Sequence, residues 1–200
     1  MSFFRPVLSF VAPLLALSFS VSAASAGDER RDMKTFVCSD LVSSYESGKK
    51  DDSDGADLLL TWMAGYHATE DQGTIVDFDG LKKDIVATYE FCKGHLNIGV
   101  LSASEKSMGD NSTAISKDAM DLSTITCEHV VNKAKNGDKD DEEGFSVILA
   151  WLGGYYASIN DETIVDMKEF EKNGFDIGKG CAKDETAALM TVTEQVMSKE

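Results

Sequence analysis

Leu58-Leu59-Leu60-Thr61-Trp62-Met63-Ala64-Gly65-Tyr66 is an apolar run that returns 89 positions later as Val147-Ile148-Leu149-Ala150-Trp151-Leu152-Gly153-Gly154-Tyr155. The same gapless shift lays Cys38 on Cys127, Cys92 on Cys181, and Thr74-Ile75-Val76-Asp77 on Thr163-Ile164-Val165-Asp166. Four cysteines, both tryptophans and a tetrapeptide in one register identify a duplicated module, so any function belongs to the module or to the pairing of its copies.

Outward from that repeat, the chain divides into a leader, a first unit over 31–109, a linker over 110–120 and a second unit over 121–200. Residues 1–26 read as a secretory signal peptide: Arg5, then an apolar run from Val7 to Val21, then Ala24-Ser25-Ala26. The run is shorter than the roughly 20 residues a span needs, and it contains Pro13. No later stretch reaches spanning length, so the mature chain from about Gly27 is expected to be soluble and secreted.

Secretion puts the four cysteines in an oxidising compartment. Four cysteines allow three connectivities. The duplication chooses among them, because an ancestral single unit held only two: Cys38 with Cys92, and Cys127 with Cys181. Each bridge would close a loop of about 55 residues, worth roughly 4 kcal/mol in the chain-entropy model. Units this small need such staples. No C-x-x-C or nearby His pair supports metal binding by these cysteines.

Each unit reads as helical. In the first, a short amphipathic helix from Cys38 to Tyr45 ends near Gly48, and an acidic loop, Lys49 to Asp54, leads to a central helix over Ala56–Thr69. A short extended connector, Thr74 to Asp77, precedes a third helix capped by Asp77 or Asp79, with a stripe of Leu81, Ile85, Val86, Tyr89 and Cys92. Asn97 can cap a fourth helix through Ile98, Leu101, Glu105 and Met108. The second unit follows the same plan, its third helix weakened by Gly174, Gly178 and Gly180. Proline is absent after the leader, strand alternation is absent too, and the expected fold is all-α: two tandem units of about four helices, each with one internal disulfide. Gly65 and Gly154 would each cost about 1 kcal/mol inside a helix. Their place beside Trp and Tyr in both copies points to close helix approach. The Trp-bearing face is core in one reading; in the other, it becomes available to a partner when the unit loosens.

The charge narrows the function. Without the leader, 35 acidic residues face 18 basic ones, a net charge of −17. Such a surface repels nucleic acid and anionic membranes. The acidic clusters Asp51, Asp52, Asp54 and Asp138, Asp140, Asp141, Glu142, Glu143 lack the spacing of a calcium loop, so solvated acidic loops are expected, with no metal and no cofactor. Near pH 2–3 most carboxylates would be neutral, leaving 18 Lys/Arg and 3 His charged. Stability from ion-paired or capping carboxylates is lost in that range, and a small unit would loosen while its disulfide limits expansion. His67, His95 and His129 are too few, and too poorly aligned between copies, to act as the main switch.

The pattern Cys38-x-Asp40-Leu41, then Trp62-Met63-Ala64-Gly65-Tyr66, then Cys92 with a short amphipathic helix after it, resembles the HdeA/HdeB acid-stress chaperones. Thr126-Cys127-Glu128-His129, Ala150-Trp151-Leu152-Gly153-Gly154-Tyr155 and Cys181 repeat the likeness, which covers nearly the whole mature chain. The resemblance implies a small all-α fold with one disulfide per unit, a periplasmic location, and acid-triggered opening without ATP to hold unfolded periplasmic proteins. It implies homodimers at neutral pH, which two tethered copies can replace by an intramolecular pseudo-dimer; a homo-oligomer is the other arrangement. A diffuse apolar client surface is expected to include Trp62, Met63, Tyr66, Trp151, Leu152 and Tyr155. A constitutive periplasmic protein-binding or inhibitor module on the same scaffold stays open as the alternative. An enzyme is not expected, because no nucleophile elbow, metal motif or His recurs in both copies.

Overall fold

The computed structural model describes residues 30–68, 73–109, 116–117, 119–136 and 139–198, with the backbone alone for 136 and 139–143. The leader expected at 1–26, most of the linker (110–115 and 118) and the side chains of the second acidic cluster lie outside the described residues.

Helices dominate, four in each half among the described residues. The first half runs β1 (Arg30–Asp32), α1 (Cys38–Glu46), α2 (Lys50–Tyr66), β2 (Ile75–Val76), α3 (Phe78–Gly94) and α4 (Val100–Gly109). The second runs β3 (Met120–Asp121), α5 (Cys127–Asn136), α6 (Lys139–Ile159), β4 (Ile164–Asp166), α7 (Met167–Lys183) and α8 (Leu189–Met197), with one turn of 3-10 helix at Leu122–Thr124. The disulfides are Cys38–Cys92 and Cys127–Cys181, one in each half, and all four cysteines are fully buried.

Local chemistry explains most boundaries. Gly48 at φ +70° breaks the chain after α1, a conformation that suits glycine. Asp77 caps α3 by accepting from the backbone N–H groups of Asp79 and Gly80; Asp166 caps α7 through Lys168 and Glu169 in the same way. The acidic stretch after Gly48 is not a loop. It forms the first turns of α2, because Asp51 and Asp52 sit at the positive end of the helix dipole and Lys50 pairs with Asp54 one turn on. The helix then ends at Tyr66, earlier than expected, where the His67 N–H turns back to the Met63 carbonyl. Likewise α4 starts at Val100 and not at Ile98: the Ile98 carbonyl accepts from Cys38 N–H, and Gly99 bridges to Val37. Of the expected α3 stripe, Val86 faces outward, 59 % exposed, and Thr88 is buried in its place. Despite its three glycines, α7 runs unbroken.

β2 and β4 fall on the extended connector expected at 74–77 and on its repeat at 163–166; β1, β3 and the pairing that joins the halves were not foreseen. β1 of the first half pairs antiparallel with β4 of the second, and β3 of the second pairs with β2 of the first. The 89-residue shift maps one pairing onto the other: Arg31 opposes Val165 as Met120 opposes Val76. Each half thus lends its leading strand to its twin. The cores are shared too. Leu41, Leu60, Met63, Val100 and Ala103 pack with Ala157 and Val165 from the second half, while Leu122, Leu152, Ile177 and Leu189 pack with Val76 from the first.

Candidate functional site

The centre of the molecule is the crossing of α2 and α6, the two helices that carry the repeated apolar run. A small residue at the crossing lets the backbones touch. A methyl group at Gly65 would lie 1.9 Å from the Trp151 carbonyl oxygen, and one at Gly154 would lie 1.8 Å from the Trp62 carbonyl oxygen. No real atom tolerates that distance, so glycine is required at both positions. The helix-propensity cost of about 1 kcal/mol each is offset by the packing that close approach allows.

Around this crossing the expected client residues divide into two groups. Trp62, Met63, Trp151 and Leu152 are buried, with Met63 and Leu152 wholly inaccessible. Tyr66 and Tyr155 are half-buried and extend the aromatic surface outward. Trp62 stacks on Tyr66 at 5.2 Å and Trp151 on Tyr155 at 5.4 Å, so each half carries the same aromatic pair. Trp62 also lies against Gly153 of the opposite helix. The structure therefore brings the six residues together at one crossing, with both indoles covered by the folded chain.

The edges of the crossing are closed by hydrogen bonds that end on carboxylates. The Thr74 hydroxyl donates to Asp121 across the halves at 2.8 Å, and the Thr163 hydroxyl donates to Asp32 at 3.0 Å. Backbone bonds run beside them, from Met33 N–H to the Thr163 carbonyl and from Leu122 N–H to the Thr74 carbonyl. Asp77, at the head of α3, also accepts from the backbone N–H of Ser116 in the connection between halves, at 2.9 Å. Bonds from the Ser123 hydroxyl, from Thr74 and from the Ser123 N–H hold the Asp121 carboxyl below the usual aspartate value. Bonds from the backbone N–H groups of Gly80 and Ser116 do the same for Asp77. Sequence reasoning missed these clasps. A signal was present, since Asp32 falls on Asp121 and Thr74 on Thr163 in the 89-residue register.

A second set of ties joins each central helix to the last helix of its own half. His67 Nε2 lies 3.0 Å from the Ser104 hydroxyl, whose proton is donated to the Leu101 carbonyl. Burial lowers the imidazole pKa from its ordinary 6.5, more than the Leu101 carbonyl and the Glu105 charge raise it. In the second half Tyr156 occupies the matching position and donates to the Met190 carbonyl at 3.2 Å. Burial is the main reason that its phenol is pushed up to about 12.

Among the described residues no cluster of His, Cys, Asp and Glu could hold a metal, and no helix is long and apolar enough to cross a membrane. No curated protein and no solved structure matches the chain. The model of the HdeA/HdeB family matches it twice, over residues 7–97 and again over 94–191. Matched through nearly its whole length by two successive copies of that pattern, the chain belongs to the HdeA/HdeB family.

Proposed function

We propose that this protein is an ATP-independent periplasmic chaperone that opens in acid and holds unfolded proteins on the surface now closed between its halves. The family is one of periplasmic acid-stress chaperones. The observation that carries the reading to this chain is the placing of carboxylates. The indoles of both halves are covered at the α2–α6 crossing, and the side-chain bonds clasping its two edges end on Asp32 and Asp121.

Acid acts on the Asp121 clasp in a definite direction. A carboxyl held below its ordinary value in the folded state gives stability that is present above the unfolded value of 3.8. That stability is lost as pH falls through the folded value, because a protonated acid no longer accepts the bonds that favoured its charge. Asp121 and Asp77 both act in this sense. Asp57 acts in the opposite one: burial raises its pKa, more than the Tyr45 hydrogen bond lowers it, and its neutral form favours the fold as pH falls. The balance lies with the clasps, since they bridge the halves, whereas Asp57 and Tyr45 tie α1 to α2 within one half. Once parted, the halves would offer Trp62, Met63 and Tyr66, and Trp151, Leu152 and Tyr155, as two apolar faces on one chain. The disulfides keep each half compact enough to present them.

The test is a titration of the chain from Gly27 onward between pH 7 and 2, following aggregation of an acid-labile reporter enzyme and the binding of an apolar dye. Both suppression of aggregation and dye binding are expected to rise below about pH 4. A protein that stays rigid and dye-free while the reporter precipitates unhindered removes the proposal. Binding of partners at pH 7 with no gain in acid gives the constitutive binding module instead.

A further inference from the structure

The two halves share a topology but are latched by different chemistry. Positions 67 and 156 are equivalent under the 89-residue shift, and so are Leu101, whose carbonyl accepts from Ser104, and Met190, whose carbonyl accepts from Tyr156. In the first half the tie is an imidazole bonded to Ser104 of α4. In the second it is a phenol bonded to the Met190 carbonyl of α8. A further difference lies just ahead of the last helix. Asp184 accepts from both the N–H and the hydroxyl of Thr186, at 3.0 and 2.7 Å, ordering the turn into α8. Its counterpart in the first half is His95, whose Nδ1 lies 2.8 Å from the Phe91 carbonyl and whose ring stacks on Phe91.

From this pairing we infer that acid releases the last helix of the first half, α4, at a milder pH than it releases α8, with His67 as the group that takes up the proton. This ordering rests on the acid-opening reading above and adds a sequence of events to it.

The surroundings of His67 set the sign. From α4, Glu105 is the charge that acts on the ring, and it favours the imidazolium. From α2 itself, the Tyr66 ring meets the imidazole edge-on at 5.6 Å. From the turn after α6, the Asp161 charge acts on Tyr66. Among the described residues no charge from α3 or α6 pairs with the imidazole. The dominant influence is burial, which disfavours the added charge. A base whose folded pKa is depressed binds its proton more readily in the unfolded chain, so folding stability falls as pH drops below 6.5 toward the folded value. The second half has no such group in its latch. Tyr156 is faced by Glu194 from α8 and Tyr155 from α6, and it stays neutral throughout acid. Asp184, beside which Lys135 of α5 pairs with Glu185, responds below 3.8. The latch of the first half therefore takes up its proton in the range of histidine, and the turn that orders α8 responds in the range of carboxylates.

The experiment is NMR on the chain from Gly27 onward, following the His67 ring and the amides of α4 and α8 from pH 7 to 2. The α4 amides are expected to lose their native shifts at a midpoint at least about one pH unit above that of α8. His67→Tyr, which copies the second half's latch, should bring the α4 midpoint down to the α8 value, and Tyr156→His should raise the α8 midpoint. Should His67→Tyr fail to fold at neutral pH, His67→Gln keeps a neutral donor without a titrating ring and serves the same purpose. Release of α4 and α8 at one common midpoint overturns the inference, as does an α4 midpoint unmoved by either replacement. A folded His67 that titrates at or above 6.5 does the same. Aggregation assays separate the two proposals: client protection with simultaneous release keeps the chaperone and discards the ordering. Sequential release without protection discards the chaperone and keeps the ordering.

Discussion

Ile85, Tyr89 and Phe91 stand on α3 of the first half where α7 of the second has Gly174, Gly178 and Gly180. The two helices have the same length and close the same disulfide, yet they are held in different ways. Tyr89 meets Tyr45 of α1 edge-on at 4.8 Å, and Phe91 stacks on His95. α7 has no side chain at the matching positions, and a methyl at Gly180 would lie 2.6 Å from Cγ1 of Val192, so α8 packs on bare backbone there. What does not differ between the halves is the crossing itself: Trp, Gly and Tyr on α2 and α6, Asp and Thr in the strand clasps, and the cysteines. The molecule tolerates two solutions in its flanking helices and only one at the contact between its halves. That is the pattern expected if the contact, and its opening, are what the protein is for.

If the crossing is a true equivalence, matched substitutions should have matched effects. The largest is expected from Trp62→Ala and Trp151→Ala, each removing a buried indole at a cost of about 3–5 kcal/mol. Urea unfolding at pH 7 measures this, and a near-neutral result for one but not the other would break the equivalence. Next come Gly65→Ala and Gly154→Ala. Each added methyl meets a backbone carbonyl that cannot rotate away, so a loss of about 1–3 kcal/mol or more is expected from both. Size-exclusion and unfolding midpoints check it, and tolerance at either glycine would mean that the helices do not cross as closely as described.

The halves differ in how legible they were. The helical class and the four helices per unit followed from the repeated apolar runs, and the disulfides from the duplication. An aspartate cap for α3 was readable, as Asp77 or Asp79, because a short acidic residue precedes an apolar period, and the structure selects Asp77. The extended stretches that hold β2 and β4 were readable too, but β1, β3 and the pairing across the halves were not, since segments of two or three residues carry no alternation to detect. The repeated Trp, Gly and Tyr marked out six residues that meet at one crossing, but burial of both indoles depends on a partner helix 89 residues away in the chain. The acidic run at Lys49–Asp54 was misplaced because charge density suggests a loop, whereas the dipole and the Lys50–Asp54 pair favour a helix start. His67 was named but set aside for a related reason. Aligning histidines between copies hides a position where one copy has His and the other Tyr, and only the shared contact with the last helix reveals that they do the same work.

A smaller effect sharpens the contrast between α3 and α7. Gly178 has open space around it, so Gly178→Ala should raise stability by up to about 1 kcal/mol through helix propensity. Gly180→Ala should bring no such gain, because Val192 occupies the space its methyl needs. Thermal midpoints of the two variants side by side decide this; equal gains would mean that α8 does not rest on α7 at Gly180.

The smallest expected effect bears on the acid response of the second half. Asp184 is held below the usual aspartate value by the Thr186 hydroxyl and by the Thr186 and Ala187 N–H groups. A depressed carboxyl contributes stability above its unfolded value of 3.8 and loses it as pH falls through the folded one. Asp184→Asn keeps an oxygen that can accept from Thr186 but removes the charge those bonds favour. The variant should therefore be slightly less stable than the parent at pH 7 and should converge with it in strong acid, giving a shallower fall in urea midpoint below pH 4. Between pH 7 and 5 the two curves should run parallel, since the carboxyl does not change its protonation there. A change of slope in that upper range would move Asp184 into the window assigned to His67, and the distinction between an imidazole-latched half and a carboxylate-ordered one would no longer hold.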